Sequence, residues 1–127
     1  VRTEPSRRSV APLRSKDFLS VLDLDPDEIG RVLDLAAELK RLRRAGRASA
    51  PSLAGRHVAL LFEKPSLRTR STFVIAVREL GGEVLEPPAD VALGGREAVE
   101  DVARNLERWV TGAVVRTFAQ ERLVRFA

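Results

Sequence analysis

The sequence predicts an α/β fold built on parallel strands, and three observations carry that expectation. Short segments of strand character, Val58 to Phe62, Glu83 to Leu85 and Ala113 to Arg116, alternate with longer ones whose apolar residues recur at helical spacing. A glycine pair, Gly81-Gly82, closes one helical segment just before a strand begins. The total of 127 residues suits a single domain around one core, in which right-handed crossovers make successive strands parallel.

Residues 1–15, rich in Arg, Ser and Pro, read as a disordered leader, and residues 16–127 as the domain. An Arg- and Ser-rich start also suits an organelle transit peptide, but Pro5, Pro12 and Glu4 weaken the amphipathic helix such a peptide requires. Asp25-Pro26-Asp27-Glu28 is a helix start: Asp25 caps, Pro26 fits the first helical position and Glu28 completes a capping box. Ile29, Val32, Leu33, Ala36, Leu39 and Leu42 then share one face, which marks a docking helix. After the strand Val58 to Phe62, Phe73, Ala76, Val77 and Leu80 define a helix from Arg68 to Leu80. Beyond the next strand, Val99, Val102, Ala103, Leu106 and Val110 place a helix from Glu97 to Val110 on the sheet. A last helix follows the third strand from about Ala119.

Composition removes several function classes. The absence of cysteine excludes a disulfide framework and a thiol nucleophile, and suits a reducing, cytoplasmic setting. One histidine leaves no basis for a structural zinc site, and no cofactor is called for. No apolar run approaches the roughly 20 residues that cross a bilayer, so no membrane partner is expected. The net charge of +4 and the pI near 10.6 raise the question of nucleic acid. Yet Lys40, Arg41, Arg43, Arg44 and Arg47 gather at a helix C-terminus, where the dipole itself favours cations. No aromatic residues interleave with them as stacking platforms, so nucleic-acid binding is not expected.

The chemistry concentrates in Phe62-Glu63-Lys64-Pro65-Ser66-Leu67-Arg68-Thr69-Arg70, at the exit of the first strand. There the loop delivers Ser66 to Thr69 to the positive end of a helix, where free N–H groups and the macrodipole favour an anion. Arg68 and Arg70 add formal charge, and a guanidinium can hold two oxygens of one phosphate. Arg116 also follows a strand end, and in open parallel sheets ligands collect at those ends. The four residues from Ser66 to Thr69, taken alone, describe equally an N-capped helix with surface arginines. Ser66 as a hydrolase nucleophile is a poor reading, because the sole histidine, His57, begins the same strand and faces away from the site.

In context the segment resembles the carbamoyl-phosphate signature of the aspartate/ornithine carbamoyltransferase family. Phe62, Lys64, Ser66, Arg68, Thr69, Arg70, Thr72 and Phe73 fall on that pattern. Leu80-Gly81-Gly82, Gly95-Arg96-Glu97 with Asp101 to Leu106, and Arg116-Thr117-Phe118 with Glu121 resemble its later stretches in the same order. The wording is most like the N-terminal, carbamoyl-phosphate-binding domain of ornithine carbamoyltransferases. What the resemblance implies is a three-layer αβα domain, incomplete at its C-terminus, with the amino-acid-binding domain absent.

The implied function is transfer of the carbamoyl group from carbamoyl phosphate to the side-chain amine of L-ornithine, giving citrulline and phosphate. By resemblance, Ser66 and the N–H groups of Leu67, Arg68 and Thr69 hold phosphate oxygens. Arg68 bridges phosphate and leaving oxygen, Thr69 donates to the carbonyl oxygen, and Arg116 clamps the phosphate, so Arg68, Thr69 and Arg116 form the catalytic set. A homotrimer, or a multiple of trimers, is the implied assembly of the full-length protein. The alternatives are a piece of an aspartate or other amine carbamoyltransferase, and a non-catalytic phosphate-binding remnant.

Departures from the pattern carry expectations too. Leu67 stands where the family has a small or hydroxylated residue, so only its N–H is kept. Val74 replaces a glutamate, which removes an ion-pair partner for a nearby arginine. Ala92 stands where a polar residue is offered to a neighbouring subunit and cannot donate. The His-Pro-x-Gln segment of the carbonyl site does not occur, so this chain alone is expected to be inactive.

Overall fold

Six residues, His57–Phe62, form β1, the middle strand of a three-stranded sheet. Ala59, Leu60 and Leu61 are all buried in it. Successive side chains of a strand point to opposite faces, so burial of all three requires cover on both. The structure, a computed structural model, describes residues 11–127. β2 (Glu83–Leu85) and β3 (Gly112–Arg116) flank β1, both parallel to it, in the order β2-β1-β3. The parallel α/β arrangement expected from the alternation is present, and the third strand begins one residue earlier than the apolar run suggests.

Helices supply the cover. α2 (Leu67–Glu79) crosses from β1 to β2 and packs on both, sharing with Leu60 a cavity that Leu67 and Arg70 also line. On the opposite face Ala59 and Leu61 form one core cluster with Ala92, Leu93 and Leu106. Ala92 ends α3 (Ala89–Ala92) and Leu106 belongs to α4 (Val99–Trp109), whose Val102, with Val110 just past its end, packs around the same cluster. The chain then passes through β3 to α5 (Gln120–Phe126), which packs against α4 and adds Phe126 to the cluster. Helix, sheet and helix give the three layers.

The helix boundaries shift slightly from the expected ones. α2 runs from Leu67 rather than Arg68 and ends at Glu79, because Gly81 takes φ 82° and turns the chain out of the helix. α4 begins at Val99 rather than Glu97, since Ala98 is extended and occupies the N-cap. The short α3 and a 3-10 turn at Val21–Asp23 have no counterpart in the periodicity reading.

α1 (Pro26–Arg44) starts with the expected box: Asp25 accepts from the Glu28 N–H at 2.8 Å, and Glu28 accepts from the Asp25 N–H at 2.9 Å. Its apolar face is covered only in part by the described residues. Ile29, Leu39 and Leu42 are half-buried, whereas Leu33 is 63% exposed. Of the leader expected over residues 1–15, positions 1–10 lie outside the described residues. Ala11 accepts from Arg31 at 2.8 Å, and the Arg14 N–H donates to the buried Glu28 at 2.5 Å, so residues 11–15 run along the start of α1. Among the described residues no helix is long and apolar enough to cross a membrane.

Candidate functional site

β1 ends at Phe62, and α2 begins five residues later, at Leu67. Its first intrahelical bond is donated by the Arg70 N–H to the Ser66 carbonyl, at 3.0 Å. The N–H groups of Leu67, Arg68 and Thr69 therefore have no acceptor within the helix and stand at its positive end. Ser66 occupies the N-cap position in an extended conformation but makes no side-chain cap. Its hydroxyl bonds Thr69 Oγ1 instead, at 3.0 Å.

Arg116 arrives from the other strand. It ends β3 in register with Phe62, and its guanidinium Nη1 donates to Thr69 Oγ1 at 3.2 Å. Two of the expected binding side chains, Thr69 and Arg116, thus meet from opposite ends of a 47-residue separation. With Ser66 and Arg116 both donating, both acceptor positions of the Thr69 hydroxyl are filled. Its own hydrogen has no acceptor among the described residues. Arg68 is exposed and makes no ion pair among the described residues. Leu67 is 80% exposed and contributes only its N–H at the site. His57 is exposed at the far end of β1, where its carbonyl accepts from Thr111.

Two acidic residues not assigned from the sequence complete the setting. Glu63 accepts from Thr117 Oγ1 at 2.5 Å, from the Phe118 N–H at 3.2 Å and from the Arg122 guanidinium. The Thr117 hydrogen bond, with help from Phe118 and Arg122, holds the Glu63 carboxyl below its usual range. Glu86, just past β2, pairs with Arg70 Nε at 2.5 Å. Arg70 therefore has a carboxylate partner even though Val74 has replaced the expected one. Glu63 lies inside the motif and Glu86 beside a strand end, yet their partners lie 54 and 16 residues away, where no local pattern signals them. Ala92 is 2% exposed and packs into the core, so that position offers nothing to a neighbour.

Residues 16–127 match the family described as aspartate/ornithine carbamoyltransferase, carbamoyl-P binding domain. The chain belongs to this family. The chain is 47% identical over 113 residues to an ornithine carbamoyltransferase of Methanocorpusculum labreanum, covering 88% of this chain and 37% of that protein. It is also 47% identical over 118 residues to one of Deinococcus radiodurans, covering 91% and 37%. The crystal structure of ornithine carbamoyltransferase from Thermus thermophilus superposes with a TM-score of 0.79 at 43% identity, over 89% of this chain and 38% of that one. The chain spans less than two fifths of the length of these relatives.

Two hollows among the described residues bear on the site, and the larger is not at these residues. A groove of about 850 Å³ wraps the outer edge of β3 between Phe73 on one side and Leu106 and Phe126 on the other. The smaller cavity, about 350 Å³, is lined by Phe62, Ser66, Arg70, Glu86 and Pro87 at the carboxyl ends of β1 and β2. The smaller adjoins the start of α2 at Ser66 and Leu67, and of the motif's polar side chains Ser66 and Arg70 line it whereas Arg68, Thr69 and Arg116 do not.

Proposed function

We propose that the domain is the carbamoyl-phosphate-binding part of an ornithine carbamoyltransferase. The observation that carries this reading is the 3.2 Å approach of Arg116 to Thr69 beside three unpaired helix N–H groups. A phosphate dianion and an adjacent carbonyl need just such a set: donors spread over several oxygens and a cation at the junction.

On this reading the phosphate rests on the N–H groups of Leu67, Arg68 and Thr69 and on the Ser66 hydroxyl, whose one hydrogen turns from Thr69 to the ligand. Arg68 reaches from the first turn of α2 to the oxygen that bridges phosphorus and carbon. Arg116 holds the phosphate from the β3 side, and the remaining Thr69 hydrogen points to the carbonyl oxygen. The ornithine amine adds through its lone pair to the carbamoyl carbon, and negative charge gathers on that oxygen. Collapse then breaks the bond from carbon to the bridging oxygen, phosphate departs with the electron pair, and the proton lost by the amine passes to the departing phosphate. Positioned donors that stabilise charge as it develops supply the rate enhancement. No step in this scheme calls for a metal, a cofactor or a covalent enzyme intermediate.

Ornithine as acceptor is supported by the names of the similar proteins and by Arg116-Thr117-Phe118 with Glu121. No residue of the chain is assigned to hold the acceptor, so citrulline formation by these 127 residues alone is not expected. We extend the proposal, for the whole protein, to a trimeric, cytoplasmic enzyme of arginine metabolism. Calorimetric titration with carbamoyl phosphate tests the binding site: Arg68→Ala weakens binding at least about tenfold if the guanidinium makes a charge-assisted contact. Equal affinity in both forms sinks the assignment.

A further inference from the structure

The site draws its donors from two strands, and its performance depends on how firmly they are held together. The β1 to β3 register ends with the pair Phe62 and Arg116. One residue on, the Glu63 N–H still donates to the Arg116 carbonyl, at 2.9 Å. The Glu63 side chain then carries the connection further, taking Thr117 Oγ1 at 2.5 Å and the Phe118 N–H at 3.2 Å on the same oxygen, Oε2. The two groups that flank the turn after Arg116, its carbonyl and the Phe118 N–H, are thereby tied to the one residue that follows the neighbouring strand β1. That fixes the direction in which Arg116 leaves the backbone, and its guanidinium lands on Thr69.

The other carboxylate oxygen, Oε1, receives Arg122 of α5. A negative charge one residue before Lys64-Pro65-Ser66 would oppose an anion on that loop. Arg122 balances it, and the Glu63 side chain, only 23% exposed, is directed at the turn.

We propose that Glu63 is a positioning residue for Arg116: its carboxylate clamps the turn after β3 so that the Arg116 guanidinium is set against Thr69 before ligand arrives. This rests on the carbamoyl-phosphate reading only for its consequence in binding. A purely structural Glu63 would tie α5 to the sheet and leave the Arg116 side chain indifferent.

The experiment compares wild type, Glu63→Gln, Arg116→Ala and the double variant in the full chain. Two readouts are taken: affinity for carbamoyl phosphate, and the NMR signal of the Arg116 Nε–Hε group with its heteronuclear relaxation in the free protein. Glu63→Gln is expected to lose about tenfold in affinity, with the double variant no weaker than Arg116→Ala. The Arg116 signal is expected to move and gain mobility. Losses that add, or an unchanged Arg116 signal, overturn the inference. Should Glu63→Gln not fold, Thr117→Val removes the same bond from the opposite side and is read by the same criteria. Should the wild type bind no carbamoyl phosphate, the functional reading fails, while the Arg116 signal, which needs no ligand, still decides the role of Glu63.

Discussion

Arg70, in the first turn of α2, and Glu86, just beyond β2, form an ion pair with Nε and Oε2 2.5 Å apart. The pair joins the crossover helix to the strand it leads into, and its carboxylate holds the Arg70 guanidinium even more firmly protonated than usual. Half of the Arg70 side chain is solvent-exposed, which limits the contribution to stability. Glu86→Gln is expected to lower Tm by only about 3 °C. Val74 lies four residues after Arg70 on the same helix face. Introducing Val74→Glu into Glu86→Gln is therefore expected to recover most of the loss, and no recovery by thermal melts would mean the two carboxylates are not interchangeable.

Ser66 and Asp25 both precede helices, but only one of them caps. Asp25→Ala breaks a complete capping box and is expected to cost about 1 kcal/mol in denaturant titrations. Ser66 spends its hydroxyl on Thr69, so Ser66→Ala should leave stability within about 0.5 kcal/mol while weakening carbamoyl phosphate. A Ser66→Ala loss as large as that of Asp25→Ala would show that the hydroxyl serves the helix first.

Acid should release the turn after β3. The folded Glu63 carboxyl ionises below its ordinary value, chiefly through Thr117, so the unfolded chain takes up the proton first as pH falls. The associated stability is complete above the ordinary carboxylate range, near pH 4.3, and drains away as pH drops through the depressed folded value. The stability gap between wild type and Glu63→Gln should be constant from pH 8 to about 6 and close below about 4. A gap that widens in acid would reverse the sign of the shift.

Leu61 is fully buried at the centre of the core cluster. Leu61→Ala should destabilise the chain by roughly 2 to 5 kcal/mol, measured by urea unfolding. A cost near that of a surface change would mean the helix layer over β1 collapses into the space.

The parts of the fold that were legible in sequence are those with a repeating physical cause. β1 announced itself as a buried apolar run, α1 through its cap, and α4 through Val99, Val102 and Leu106. α3 was not legible, because four residues cannot display a helical period, and the turn at Val21–Asp23 rests on a Ser20 and Asp23 box rather than on hydrophobicity. At the site, the motif supplied Ser66, Arg68, Thr69 and Arg116 as candidates. Ser66 bonding Thr69 instead of capping depends on backbone torsions that residue types do not encode. Glu63 and Glu86 were invisible for another reason: a carboxylate is recognised by its donors, and those come from α2, the turn after β3 and α5.

The strand order has a consequence for how the site is lost. β1 is hydrogen-bonded along both edges, whereas β3 is paired on one side only among the described residues. Amide exchange should accordingly be slowest in β1 and much faster at the outward N–H groups of β3. Ser66 to Thr69 follow the central, best-protected strand and Arg116 ends an edge strand. Brief opening of β3 would part Arg116 from Thr69 while the rest of the sheet stays closed, so ligand affinity should fade with mild denaturant before the chain unfolds.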